Sequence, residues 1–172
     1  NTTASYNTGV GYDALTANTT GGKNVSVGAY ALDANTTGNH NTAVGHFTLS
    51  AATTAHDNTA FGSKALAATT TGAANVGIGV SALKSNTTAS YNIAIGFEAL
   101  SSNTTGTRNT AVGYRASKAH TGSDTVFIGH VAGYVNTTGG NSVAVGSYAY
   151  AANTTGGSNT AIGNYALTRS EE

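Results

Sequence analysis

His40, Asp57 and Ser63 are the first residues of this chain whose types could do chemistry together, because an imidazole, a carboxylate and a hydroxyl are the parts of an acyl-transfer triad. His46 and His130 could ligate a metal, and Asp13 and Glu98 could divide acid and base work between them. The glycines of "GVG" (Gly9, Gly11) and "GIG" (Gly77, Gly79) invite comparison with loops that cradle phosphate. Whether any of these residues meet depends on the elements that carry them, and those elements repeat.

A Gly that follows a β-branched or aromatic residue stands at positions 11, 28, 45, 62, 79, 96, 113, 129, 146 and 163, a spacing of 17 broken once by 16. The chain therefore divides into ten units that start at residues 1, 18, 35, 52, 69, 86, 103, 119, 136 and 153, with one residue missing from the seventh. Residues 1–169 form a single repeat domain and 170–172 a tail. Aligned in columns, the units hold Thr at position three (Thr20, Thr37), Asn at position seven (Asn24, Asn41) and Val, Ile or Phe at position ten (Val27, Val44, Ile78, Ile95). Position eight is Thr, Val or Ile, position nine is small in all units but one, position fourteen is mostly Ala and position fifteen mostly Leu.

A β-branched stretch of period two that ends in Gly is a short strand with one buried face. The eighth and tenth columns share that face, and they are expected to form the core. A unit of 17 residues is too small for a βαβ crossover and lacks a helical apolar period, so it has the size of one solenoid coil. The fold expected is all-β: a parallel β-solenoid of ten 17-residue coils, with equivalent side chains stacked in ladders about 4.8 Å apart. Ladder Asn and Thr can bond to their copies on the next rung, where an isolated buried polar group would be unsatisfied. Asn and Gly should mark the corners, since both tolerate left-handed backbone. The small ninth and fourteenth columns allow either a tight single coil or a close approach by a neighbouring rod.

Placed on this frame, the reactive residues separate. His46 and His130 fall five rungs apart in one column, about 24 Å, and so do Asp13 and Glu98. No intrachain metal site and no acid–base pair follow. Lys23, His40 and Asp57 fall on consecutive rungs, as do Arg108 with Asp124 and Glu98 with Arg115; exposed cross-strand ion pairs explain them without a nucleophile. The repeat accounts for the glycines, and neither motif opens a helix or carries the Lys of a phosphate loop. Asn-Thr-Thr is formally a glycosylation sequon, but glycans on successive rungs would collide. The eighth unit is irregular, with Phe127 in place of a small residue, Gly133 in place of Leu and Thr125 in place of Asn. The surface feature that stands out is aromatic: Phe97, Tyr114 and His130 are consecutive in column twelve, and Tyr30 with Phe47, and Tyr148 with Tyr165, in column thirteen. Such ladders can stack on sugars or pack against a partner.

Composition excludes other classes. Only 8% of the chain is charged and the formal net charge is +0, so nucleic acid and anionic membrane lack an electrostatic handle. There is no cysteine and no apolar run near the roughly 20 residues of a membrane helix. No catalytic residue, cofactor or metal is expected.

"NSVAVG" at 141–146, with "NVSVG", "NIAIG" and "NTAIG" elsewhere, resembles the head repeat of YadA-like trimeric autotransporter adhesins. The fuller unit, "NTAVGHFTLSA" or "NTAIGNYALT" alternating with "NTTG", resembles repeats of bacteriophage tail fibres. The likeness runs from Asn1 to Arg169. It implies a left-handed parallel β-roll, a side-by-side homotrimer, an extracellular place on a bacterial surface or a phage virion, and attachment to a cell-surface glycan or matrix protein. An end-to-end filament of this chain and an ice-binding solenoid are the alternative expectations; the second suffers from the lack of a doubled Thr-x-Thr rank.

Overall fold

The computed structural model describes residues 3–168, so the expected end of the domain at 169 and the tail 170–172 lie outside the described residues. Each coil contributes one three-residue strand: β1 (Thr8–Val10), β2 (Val25–Val27), β3 (Thr42–Val44), β4 (Thr59–Phe61), β5 (Val76–Ile78), β6 (Ile93–Ile95), β7 (Thr110–Val112), β8 (Val126–Ile128), β9 (Val143–Val145) and β10 (Thr160–Ile162). They pair in chain order, all parallel, in one ten-stranded sheet. The register sets Val27 on Val44, Val44 on Phe61, Phe61 on Ile78 and Ile78 on Ile95, so column lies on column. The fold is an all-β parallel solenoid of coils of about 17 residues, and among the described residues no helix is long and apolar enough to cross a membrane.

The ladder of the tenth column exists, but it is on the outside. Ile78 and Ile95 are each 37% exposed, Phe61 is 56% exposed, and Val27 and Val44 are half-buried. The middle residue of each strand points inward instead: Ser26, Ala43, Ala60, Ala94, Ala111 and Ala144 are all buried. They meet the leucines of column fifteen (Leu32, Leu49, Leu66, Leu83, Leu100) and alanines of column fourteen such as Ala31, Ala65, Ala82 and Ala99, all at 0% exposure. The bore explains the reversal. A Cβ on Gly77 would already lie 3.1 Å from Cγ of Leu66, so once Leu fills the coil only Gly, Ala or Ser fits opposite it, and the β-branched residues must face out. The small ninth and fourteenth columns therefore serve the winding of a single coil.

The corners also differ from expectation. Gly marks one of them: Gly79 has φ +126°, and a Cβ there would meet the carbonyl oxygen of Gly96 at 2.6 Å, so two coils cross backbone to backbone. The other left-handed positions are columns six, thirteen and fifteen, and they hold residues such as His40 (φ 57°), Phe47 (φ 54°) and Leu49 (φ 51°), with Asn there only at Asn141 (φ 53°) among the described residues. The stack compensates these conformations with bonds between coils, as where the Leu49 amide donates to the Ala65 carbonyl at 3.1 Å.

Asparagine acts as the inner ladder. Asn24 Oδ1 accepts from the Asn41 backbone amide at 2.9 Å and from its Nδ2 at 3.2 Å, and Asn24 Nδ2 donates to the Gly38 carbonyl at 2.8 Å. The same pattern continues through Asn41, Asn58, Asn75 and Asn92. The threonine ladder lies one position earlier than expected. Thr20 and Thr37 are exposed, while Thr19 and Thr36, in column two, donate their hydroxyls to the backbone carbonyls of Thr36 and Thr53 at 2.9 and 3.0 Å.

Hydrogen bonds also fix where the chain is short. Thr121 donates to the Thr137 carbonyl as Thr36 does to Thr53, and the His120 amide bonds back to Ser117 as the Asn103 amide does to Leu100. His120 thus occupies the column-one place of Asn103 and Asn136, and the omitted residue falls just after Thr121, in the corner of the eighth coil. Here the core changes hands: one apolar cluster runs from Ala31 to Ala116, and a second gathers Phe127, Ala132, Ala144, Ala149, Tyr150 and Ala161.

Candidate functional site

Three features of the surface are ordered enough to act, and the widest is the outer face of the sheet. Because the ninth column is claimed by the bore, every strand presents columns eight and ten to solvent, giving two parallel ranks of Thr, Val and Ile. Val10, Val25, Ile78, Ile93, Ile95, Ile128, Val143 and Ile162 are exposed large apolar residues of this face. At the strand spacing the ranks run about 45 Å, and with about 10 Å of width the patch reaches several hundred Å², as large as the largest apolar patch of a typical monomer. Phe61 stands above it as a knob.

The aromatic residues form a stripe along one corner. Phe97 and Tyr114 stack at 5.5 Å and 11°, Tyr114 and His130 at 5.2 Å and 9°, and Tyr148 and Tyr165 at 4.9 Å and 1°. His130 also meets Tyr148 edge-on at 5.3 Å, which joins columns twelve and thirteen into one run of five rings. Tyr30 and Phe47 stack at 4.7 Å and 7°, and they gather Tyr12 and His46, which the column count by itself left out. The stacking matters for what the stripe can hold. Each ring covers the face of the next, so solvent meets ring edges, and a sugar would find a flat face only where the stack is interrupted.

The charged residues pair as the rungs require. Arg108 grips Asp124 with Nε at 2.6 Å and Nη2 at 2.9 Å. Glu98 accepts from Arg115 at 2.8 Å and also from Lys118 at 2.9 Å, a partner not foreseen from the columns. The Lys118 hydrogen bond, followed by that of Arg115, holds the Glu98 carboxyl below the ordinary carboxylate range. Arg115 in turn lies 5.1 Å from the Tyr114 ring centre and 5.7 Å from that of Phe97, tying this pair to the aromatic stripe. Asp57 meets His40 at 3.6 Å and its chain neighbour His56 at 2.8 Å, all three exposed. Among the described residues no group of three His, Asp or Glu side chains is set to hold a metal ion. A hollow of about 540 Å³ lined by Tyr150, Asn153, Gly156, Asn159 and Leu167 is the mouth of the bore beyond the last described coil.

Of the Asn-Thr-Thr sequons, Asn18, Asn35, Asn86 and Asn103 are buried with amide groups bonded inside the coil, so a glycosyltransferase could not reach these four in the folded chain. No protein-family model, no curated protein and no solved structure matches the chain.

Proposed function

We propose that this chain is a non-enzymatic structural and adhesive fibre segment, in which three copies pack side by side to form a rod on a bacterial surface or a phage virion. The observation that supports this is the outward turn of columns eight and ten. A regular apolar sheet face of several hundred Å² is ordinarily covered in a water-soluble assembly, and its flatness and repeat match it best to another copy of itself. The aromatic stripe lies on a corner of the coil, where it is left to meet a cell-surface glycan at its ring ends or a matrix protein along its edges.

Sedimentation equilibrium tests the assembly. The expected mass is three times the 17.0 kDa chain, falling to one chain in an Ile78→Lys, Ile95→Lys double variant whose circular dichroism is unchanged. A wild-type chain that stays monomeric at tens of micromolar would overturn the reading, and long polymers would favour an end-to-end filament.

The outward position of Thr8, Thr42, Thr59, Thr110 and Thr160 favours a second reading, ice binding, because these hydroxyls stand on a flat, evenly spaced sheet. Their companions in column ten carry no hydroxyl, so the doubled rank is still lacking. Thermal hysteresis at micromolar protein decides it.

A further inference from the structure

The repeat length of the solenoid is broken at one joint, and the joint contains the only buried imidazole among the described residues. Between coils seven and eight the leucine column fails twice: Ser117 stands where Leu would be, and then Gly133. The apolar core is divided at the same place, with Ala116 closing one cluster and Phe127 opening the next. His120 fills the gap between them at 0% exposure. Its Nδ1 lies 2.7 Å from Asn136 Oδ1, an acceptor once the amide nitrogen of Asn136 is given to Asn153, so Nδ1 carries the proton and Nε2 presents a lone pair. That Nε2 has no partner, and neither does the buried Ser117 Oγ. The shortened corner folds over it, since a Cβ on Gly122 would lie 2.9 Å from Cε1 and 3.2 Å from Nε2. The ring edge meets Phe127 at 5.8 Å and 80°.

In a stacked-coil protein, stability is the sum of coil terms and nearest-neighbour interfaces, and opening begins at the weakest interface. We propose that the joint between coils seven and eight is an acid-sensitive hinge: the stack divides there first, and protonation of His120 Nε2, which has no acceptor inside the coil, drives the division. The two blocks released are the leucine-cored coils before it and the Phe127–Tyr150 block after it. Burial pushes the His120 imidazole below its ordinary range, against a smaller opposing push from the Asn136 bond. The sign follows: a group that binds its proton less readily folded than unfolded leaves stability intact above about pH 6.5 and removes it progressively as the pH falls below that value. The ionisable residues on the coils packed against the joint are Glu98, Arg108, Tyr114, Arg115 and Lys118 before it, Asp124, His130 and Tyr134 on its own coil, and Tyr148 and Tyr150 after it. Glu98, Arg108, Arg115, Lys118 and Asp124 are held in the ion pairs described above. His130, exposed in the aromatic stripe, is the imidazole that needs a control.

Amide hydrogen exchange by NMR on the full chain, at pH 7.5 and pH 5.0 with each rate referred to its unstructured value, tests the hinge. Protection of the Ser117 and Thr110 amides, which bond across the joint to Ala132 and Thr125, should fall by up to ~30-fold between the two conditions, the ratio for one proton taken up only on opening, while the Leu49 and Leu66 amides change less than ~3-fold. His120→Asn, which installs the side chain of the flanking coils, should abolish the drop, and His130→Asn should preserve it. A titration of the His120 ring by NMR should place it below 6.5. The proposal is overturned by a ring that titrates at or above 6.5, by a pH-dependent loss that survives in His120→Asn, or by first opening at another coil.

Discussion

Phe127 and Gly133 should prove to be one exchange of volume, not two independent irregularities. Phe127 is fully buried in the column where neighbouring coils carry Ala, and Gly133 stands in the column that is Leu in seven of the ten coils. A Cβ on Gly133 would lie 2.7 Å from Cδ2 of the Phe127 ring, so the ring occupies the space that the leucine side chain takes elsewhere. Phe127→Ala alone should leave a cavity and cost about 3–5 kcal/mol. Gly133→Leu alone should overpack the coil and cost about 1–3 kcal/mol or more. Its backbone is no obstacle, because φ is +62° at Gly133 and the leucines of this column already sit at 49–55°. The double variant restores the Ala and Leu pair of the regular coils and should return to within ~1.5 kcal/mol of the wild type, a coupling of roughly −2.5 to −8 kcal/mol. Urea denaturation followed by far-ultraviolet circular dichroism measures all four corners of the cycle, with an unchanged m-value as the condition for comparing midpoints. Additive losses, with the double variant worse than either single one, would refute the shared-volume argument.

Asn58→Ala should cost about 2–4 kcal/mol, because it leaves the buried Asn75 amide and Gly72 carbonyl unpaired, whereas Thr37→Ala on the exposed column should stay within ~0.5 kcal/mol; denaturation midpoints compare them. Gly79→Ala should destabilise by about 3 kcal/mol or more, since its Cβ would meet Gly96 backbone at 2.6 Å in a conformation that side chains rarely adopt; a melting temperature within a degree of wild type would contradict the crossing of the two coils.

The period, the parallel stack and the order of the ladders were legible because they depend only on spacing, and a spacing of 17 broken once in ten units leaves little else for the chain to do. The pairings of Arg108 with Asp124 and of Glu98 with Arg115 followed from the same count. What did not follow was the side of the strand that faces in. Alternation separates two faces but does not say which is buried, and the usual inference that the larger apolar side chains go inside rests on a core wide enough to receive them. The corner chemistry was illegible for a similar reason: left-handed Leu49 and Phe47 violate local preference, and they are held by bonds between coils that no single unit contains.

Yet the irregular eighth coil carries the information that the regular ones lack. Column nine is small in the other nine coils and column fifteen is Leu in seven of the ten, so the regular coils do not show that the two touch. In the eighth, column nine grows to Phe127 and column fifteen shrinks to Gly133 together, which is what two side chains sharing one closed volume must do. If column nine shares space with the buried leucine column, it points into the bore, and columns eight and ten must point out. The outward apolar ranks, on which the proposed assembly rests, then follow from a single compensated exception. The Phe127–Gly133 cycle therefore tests the direction of every strand in the sheet, because a coil in which those two positions did not compensate would leave the ninth column free to face solvent.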